Sequence, residues 1–279
     1  MQVTAEMVRD LREKTGAGMM DCKKALLETG SLDAAVTYLR EKGLAAAAKK
    51  AGRVASEGLV AVIVEKNRAA IVEVNCETDF VAKNGDFQEL VADLAAKSFH
   101  LKDLVVETES MIHDKIATIG EKIAIRRYTV LEGGDLYGAY LHAGGSIGTL
   151  VELKGANASH QDLAKDLAMH VAASAPSFLA RTDIDAETLN GERSILRNQV
   201  LEQGKPENMV DRIVDGKIEK YYSEVCLLEQ KFVKDPDTVI SKLLKDANVT
   251  LSRFVRYKVG EGLEKKSDDF AQEVAKMIG

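Results

Sequence analysis

The sequence predicts an α+β protein with a separate helical head. Two stretches alternate Val, Ile or Leu around a tight turn, and each runs on into a segment of helical period. The two stretches also share letters: Ile71-Val72-Glu73-Val74 matches Leu150-Val151-Glu152-Leu153, and residues 90–96 resemble residues 163–169. An internal duplication of a β-hairpin-plus-helix unit accounts for both facts. Ahead of it lie three short helical patterns without a strand signal.

The head spans residues 1–55. Thr4 suits the cap of a helix that carries Met7, Val8 and Leu11 on one face and stops before Gly16. A second helix from about Met19 carries Cys22, Leu26 and Leu27 to Gly30. A third starts at Ser31, carries Leu32, Ala35, Val36 and Leu39, and is expected to end at Gly43. The Ala- and Lys-rich run after Leu44 reads as a linker, helical at first, up to Gly58.

The first core unit is residues 56–138. Val60, Val62 and Val64 alternate, Glu65-Lys66-Asn67-Arg68 turns the chain, and residues 70–75 return. A helix from about Asp86 carries Phe87, Leu90, Val91, Leu94 and Ala95. The second unit is residues 139–184 with 229–263. Leu136–Leu141 and Ile147–Leu153 flank Gly144-Gly145, and a helix with Leu163, Leu167 and Val171 follows. Residues 123–131 and 250–259 each read as one more strand. Residues 185–228 interrupt the second unit as a helical hairpin around Gly204-Lys205-Pro206. Its stripe of Val210, Val214, Ile218, Tyr221 and Val225 looks too narrow to bury its own seam, so a homodimer through this module is expected. A C-terminal module, residues 264–279, carries Phe270, Val274 and Met277 behind a cap at Ser267-Asp268-Asp269.

Charge narrows the function. The net charge of −6 argues against nucleic acid as the main ligand, because phosphate contacts need a cationic surface. Residues 1–55 hold 10 Lys and Arg against 7 Asp and Glu, a basic head on an acidic body. No apolar run reaches the roughly 18 residues of a membrane span. Three scattered cysteines and an N-terminus that opens straight into a helical pattern lead to the expectation of a cytoplasmic protein starting at Met1.

The phosphate-cradling and metalloprotease motifs are missing: there is no GxxxxGK[ST], GxGxxG or HExxH. The five histidines have no ligand spacing, so neither a metal, a cofactor nor a catalytic residue is expected. Cys76 reads as a small buried hydrophobe. Two segments stand out. Met19 and Met20 are adjacent, so a helix cannot turn both into one core stripe. Either one is a core residue and the other incidental, or both belong to a soft contact surface edged by Arg12 and Lys23. In residues 75–87 a buried strand runs into Thr78, Asp79, Phe80 and Val81. Phe80 either folds back on the core, as apolar residues mostly do, or projects as a wedge beside a carboxylate.

TGAGMMDCKKAL (15–26) and TDFVAKN (78–84) resemble the signature stretches of the elongation factor Ts family. IAIRR (123–127), AYLHAGGSIGTLV (139–151), LAMHVAASAP (167–176) and FVRYKVGEGLEKK (254–266) are similar to family counterparts in the same order. The resemblance implies a guanine nucleotide exchange factor for the translational GTPase elongation factor Tu. It implies a three-helix head of the ubiquitin-associated type that docks on the GTPase, and a C-terminal module that also touches it. Thr78, Asp79, Phe80 and Val81 would approach the partner's Mg²⁺, with Phe80 entering between two of its helices. Arg12, Met19, Met20 and Lys23 would belong to the head contact, and His142 would meet another domain of the partner. Two other classes compete: a scaffold module without exchange activity, and an enzyme built on Asp79 and His142, which lacks a recognised nucleophile–base arrangement.

Overall fold

The computed structural model describes residues 3–263, so the C-terminal module expected over 264–279 lies outside the described residues. The head forms as its caps dictate. In α1 (Ala5–Thr15) the Thr4 hydroxyl accepts from the Met7 N–H at 3.3 Å, and Gly16 ends the helix at a φ of 66°. α2 (Met19–Thr29) ends at Gly30 in the same left-handed way. Val8, Leu11, Cys22, Ala25, Leu26 and Ala35 make the head's core. Leu27, expected among them, is exposed.

α3 (Leu32–Lys50) runs straight through Gly43, where the sequence predicted a stop. Gly43 is buried, and a Cβ there would lie 3.3 Å from the Cβ of Ala117 on a later helix. The glycine is a point of close approach between head and core. Its helix penalty of about 1 kcal/mol is offset by the alanines that follow it.

β1 (Glu57–Glu65) and β2 (Arg68–Cys76) form the expected antiparallel hairpin. α4 (Asp79–Ala82), α5 (Gly85–Lys97), α6 (Leu104–Glu107) and α7 (Glu109–Ile119) follow before β3 (Ala124–Glu132), which pairs with β2. β4 (Leu136–His142) and β5 (Ile147–Lys154) form the second hairpin, covered by α8 (Gln161–Ser174). The inserted helices are α9 (Ala186–Glu202) and α10 (Glu207–Val225). A small ribbon of β6 (Lys231–Phe232) and β7 (Asp235–Val239), then α11 (Ile240–Asp246), lead into β8 (Thr250–Lys258) beside β5. The sequence pattern does not predict α4, α6, α7, β6, β7 or α11.

The sheets, ordered β1-β2-β3 and β4-β5-β8, face each other across Val60, Ala69, Ile71, Leu131, Tyr137, Leu150 and Tyr257. α5 closes the outer side of the first through Phe87, Leu90, Val91 and Leu94, and α8 closes the second through Leu167, Ala168 and Val171. Both faces of β2 are therefore covered, and its side chains are buried from Ala69 to Cys76. Each sheet carries a register shift at the matched letters, between Glu73 and Val74 in one and between Glu152 and Leu153 in the other. Such shared irregularity is hard to reach by chance.

The α9–α10 hairpin buries its own seam, against expectation. Val200, Val210, Val214 and Ile218 pack with Leu189, Leu196, Ile213 and Tyr222, because α9 supplies the apolar half that the α10 stripe lacks. Ile195, Leu201 and Met209 remain outward. Among the described residues no helix is long and apolar enough to cross a membrane.

Candidate partner-binding site

The Thr78–Val81 segment is a single helical turn held from below. The Thr78 hydroxyl accepts from the Val81 N–H at 3.3 Å, capping α4, and donates to Glu121 Oε1 at 2.6 Å. The other oxygen of Glu121 accepts the N–H groups of Glu77 and Thr78, both at 3.0 Å. Glu77 in turn accepts from the Lys122 N–H at 2.7 Å and pairs with Arg53 at 3.2 Å. Lys122 Nζ donates to the carbonyls of Ala51 and Arg53, at 2.7 and 2.9 Å. The exit of β2, the α7–β3 connection and the end of the head linker thus meet under the turn.

That anchorage decides where Phe80 goes. Cys76 and Ala82 are buried, Val81 packs on the first core, and no inward place is left. Phe80 stands 81% exposed. A phenyl ring this exposed forfeits most of the roughly 1.5–3 kcal/mol that burial would bring. Beside it the Asp79 carboxylate is bonded by Lys83 Nζ at 2.6 Å, and this bond holds its pKa below the usual carboxylate range. Cys76 beneath has its thiol pushed up to about 12 by burial, so it stays protonated and inert.

The head patch is also outward. Arg12 and Lys23 are exposed, Met19 is 51% and Met20 74% exposed, and Leu27 lies on the same surface of α2. Neither methionine is a core residue, because Cys22, Ala25 and Leu26 fill the inner positions. His142 ends β4 in solvent, with Tyr140 Oη 3.3 Å from its Nδ1. The turn after it rests on β1: a Cβ on Gly145 would lie 3.0 Å from the Val60 carbonyl oxygen.

The structure therefore groups some of these residues and separates others. The α4 turn and the Ala143–Gly145 turn both pack on β1. The head patch sits on another body, which meets the core where α3 packs on α7. Asp79 is bonded to Lys83 and His142 to Tyr140, and among the described residues no hydrogen bond joins Asp79 to His142. Sequence reasoning missed Glu121, Glu77, Lys122 and Arg53, for which spacing offers no signal, and Leu27, which the helical period could have placed beside Met20.

A family model described as Elongation factor TS matches residues 77–261, well over half of the chain. The match begins at the α4 anchorage and includes the second hairpin and the inserted helices; the head and the first hairpin, β1 and β2, lie outside it. The chain belongs to the elongation factor Ts family, the translation elongation factors that act as nucleotide exchange factors for elongation factor Tu.

Proposed function

We propose that this chain releases GDP from elongation factor Tu by inserting the Thr78–Val81 turn beside the GTPase's Mg²⁺. The observation that carries the reading is the exposed Phe80 on an anchored turn. A GTPase grips its nucleotide with backbone amides, a lysine and a Mg²⁺ across the phosphates. At nanomolar affinity that grip is worth about 12 kcal/mol, so unaided release is slow. A partner without chemistry of its own speeds release only by binding better to the state that holds nucleotide poorly, and the coupling is reciprocal.

Phe80 supplies apolar surface that becomes buried only when helices of the GTPase move apart. Asp79, ionised, accepts hydrogen bonds in the displaced arrangement, and the Mg²⁺ loses its ligand geometry and leaves. His142 gives a second contact on another domain, and Arg12, Met19, Met20 and Lys23 hold the head on the nucleotide domain. GTP then rebinds. The chain needs no nucleotide site, metal or catalytic group for this. Self-association through residues 185–228 belongs to the same reading, with Ile195, Leu201 and Met209 as the apolar side chains available for it.

Release of labelled GDP from elongation factor Tu, with wild type and Phe80→Ala, tests the proposal. Losing a ring buried only in the displaced state costs about 1.5–3 kcal/mol, a roughly ten- to hundredfold slower release. The fold should be untouched, since the ring has few contacts in the free chain. Normal release by a well-bound Phe80→Ala chain refutes the wedge. A wild type that binds without accelerating release leaves the scaffold reading instead.

A further inference from the structure

Glu73 is fully buried and plays no part in the exchange turn, yet four donor groups from three parts of the chain converge on it. Arg126 Nη1 at 3.0 Å, the Gly260 N–H at 2.9 Å and Asn75 Nδ2 at 3.4 Å meet Oε1, and Arg127 Nε meets Oε2 at 2.6 Å. Arg127 then crosses to the second sheet. Its Nη2 donates to the Lys258 carbonyl at 3.2 Å and to Glu261 Oε2 at 3.3 Å, and its guanidinium lies 4.2 Å from the centre of the Tyr257 ring. Gly260 has a φ of 68° and touches the chain entering β1, for a Cβ there would be 2.2 Å from the Ser56 carbonyl oxygen.

Glu152 holds the matching place in the second sheet, 1% exposed at the matching register shift. Ser252 Oγ at 2.6 Å and Arg253 Nη2 at 2.5 Å reach its carboxylate. Arg253 also crosses, in the opposite sense, to the Glu132 carbonyl of the first sheet at 3.0 Å. The side chains packed between the sheets are mainly apolar and non-directional, with a hydrogen bond between Thr129 Oγ1 and Tyr257 Oη at 2.6 Å, so they resist separation more than sliding. Two buried carboxylates with crossing arginines add direction at both ends of the interface, the use for which buried ion pairs are best suited.

We propose that Glu73 and Glu152, acting through Arg127 and Arg253, are positioning residues that fix one sheet against the other and thereby the placement of Phe80 relative to His142. The inference rests on the exchange reading, in which both ends engage one GTPase molecule. A loosened angle makes the two contacts form separately, which weakens association while leaving a seated wedge competent.

The test uses the full chain with spin labels at Glu89→Cys on α5 and Lys165→Cys on α8, both exposed, while the three native thiols are buried. Glu73→Gln keeps the volume but turns an amide N–H₂ toward an arginine donor. Arg127→Lys keeps the charge and loses the second arm, and it serves if Glu73→Gln fails to fold. The expected result is a broadened label-to-label distance distribution. With it the half-saturating concentration for GDP release should rise about tenfold, with the saturated rate within about twofold of wild type. A narrow distribution in a folded variant overturns the proposal, as does a loss of thermal stability alone. If the wild type fails to accelerate release, the exchange reading falls while the distance distribution still decides the role of Glu73.

Discussion

Replacing Glu121 by alanine asks how much of the wedge's stiffness comes from beneath it. Glu121 receives three hydrogen bonds, from the N–H of Glu77, the N–H of Thr78 and the Thr78 hydroxyl. Bonds to a charged acceptor contribute about 1.5–3 kcal/mol each when buried. Glu121 is only half-buried, so water recovers part of the loss and about 2 kcal/mol for the set is the reasoned figure. Local opening at residues 77 and 78 should then be about thirtyfold more frequent, read as faster hydrogen exchange of those two amides. Binding elongation factor Tu must also reorder the turn, at about 1–2 kcal/mol per residue fixed, so the half-saturating concentration for GDP release should rise by at least about tenfold. Glu121→Gln separates geometry from charge. Its carbonyl can accept both N–H groups while its amide donates to the Thr78 hydroxyl, so it should behave nearly as wild type. Unchanged protection at residues 77 and 78 in Glu121→Ala refutes the clamp. Lost protection with normal release refutes the link between clamp and wedge.

Other outcomes follow from packing and burial. Gly138→Ala places a methyl 2.1 Å from the Ala164 carbonyl oxygen, where α8 meets β4, and should cost about 3 kcal/mol or more in a thermal or denaturant melt. Gly191→Ala and Gly216→Ala face open space inside α9 and α10 and should stabilise the hairpin by about 0.5–1 kcal/mol each. All three cysteines are buried with thiol pKa values raised by that burial, Cys76 to about 12. At about pH 8 a thiol reagent should therefore label none of them in the native chain and all three after denaturation. His170 is buried with its pKa lowered by that burial, while Nε2 bonds to Gln230 at 2.9 Å. The unfolded chain takes up a proton that the folded chain refuses, so stability should be full above about pH 6.5 and fall below it. His170→Gln should flatten that part of the melting profile, and an unchanged slope assigns the loss to other groups.

The hairpins and their covering helices were legible because burial on one or two faces imposes a period that survives in the letters. Val60, Val62 and the Phe87–Leu94 stripe are of that kind, while Val64 continues the alternation into an exposed strand end. What failed depends on partners distant in sequence. Gly43 reads as a terminator until Ala117 is placed against it. The α10 stripe reads as unpartnered until Leu189, Leu196 and Val200 turn out to face it. Glu121 has the look of any solvent-facing acid, and only the fold brings it within 2.6 Å of Thr78, 43 residues away. Phe80 defied the general rule that aromatics fold inward, because its neighbours occupy every inward place and a one-turn helix cannot swing it back. The resemblance supplied that orientation where the residues alone left it open.

A wedge transmits strain only if it is stiffer than what it enters. Were the α4 turn free to bend, the interface energy would deform the factor, and the GTPase would keep its Mg²⁺ geometry. The turn is one helical turn long, too short to be stable by its own hydrogen bonds. Its rigidity has to be borrowed, and the loans are visible: Glu121 from the α7–β3 connection, Arg53 and Lys122 from the junction with the head linker, and Val81 and Ala82 from the core under β1 and β2. These supports include the linker on which the head arrives. On the proposed reading, a head docked on the GTPase would load the segment that braces Phe80, and weakening Arg53 should lower the saturated rate of GDP release more than it raises the half-saturating concentration.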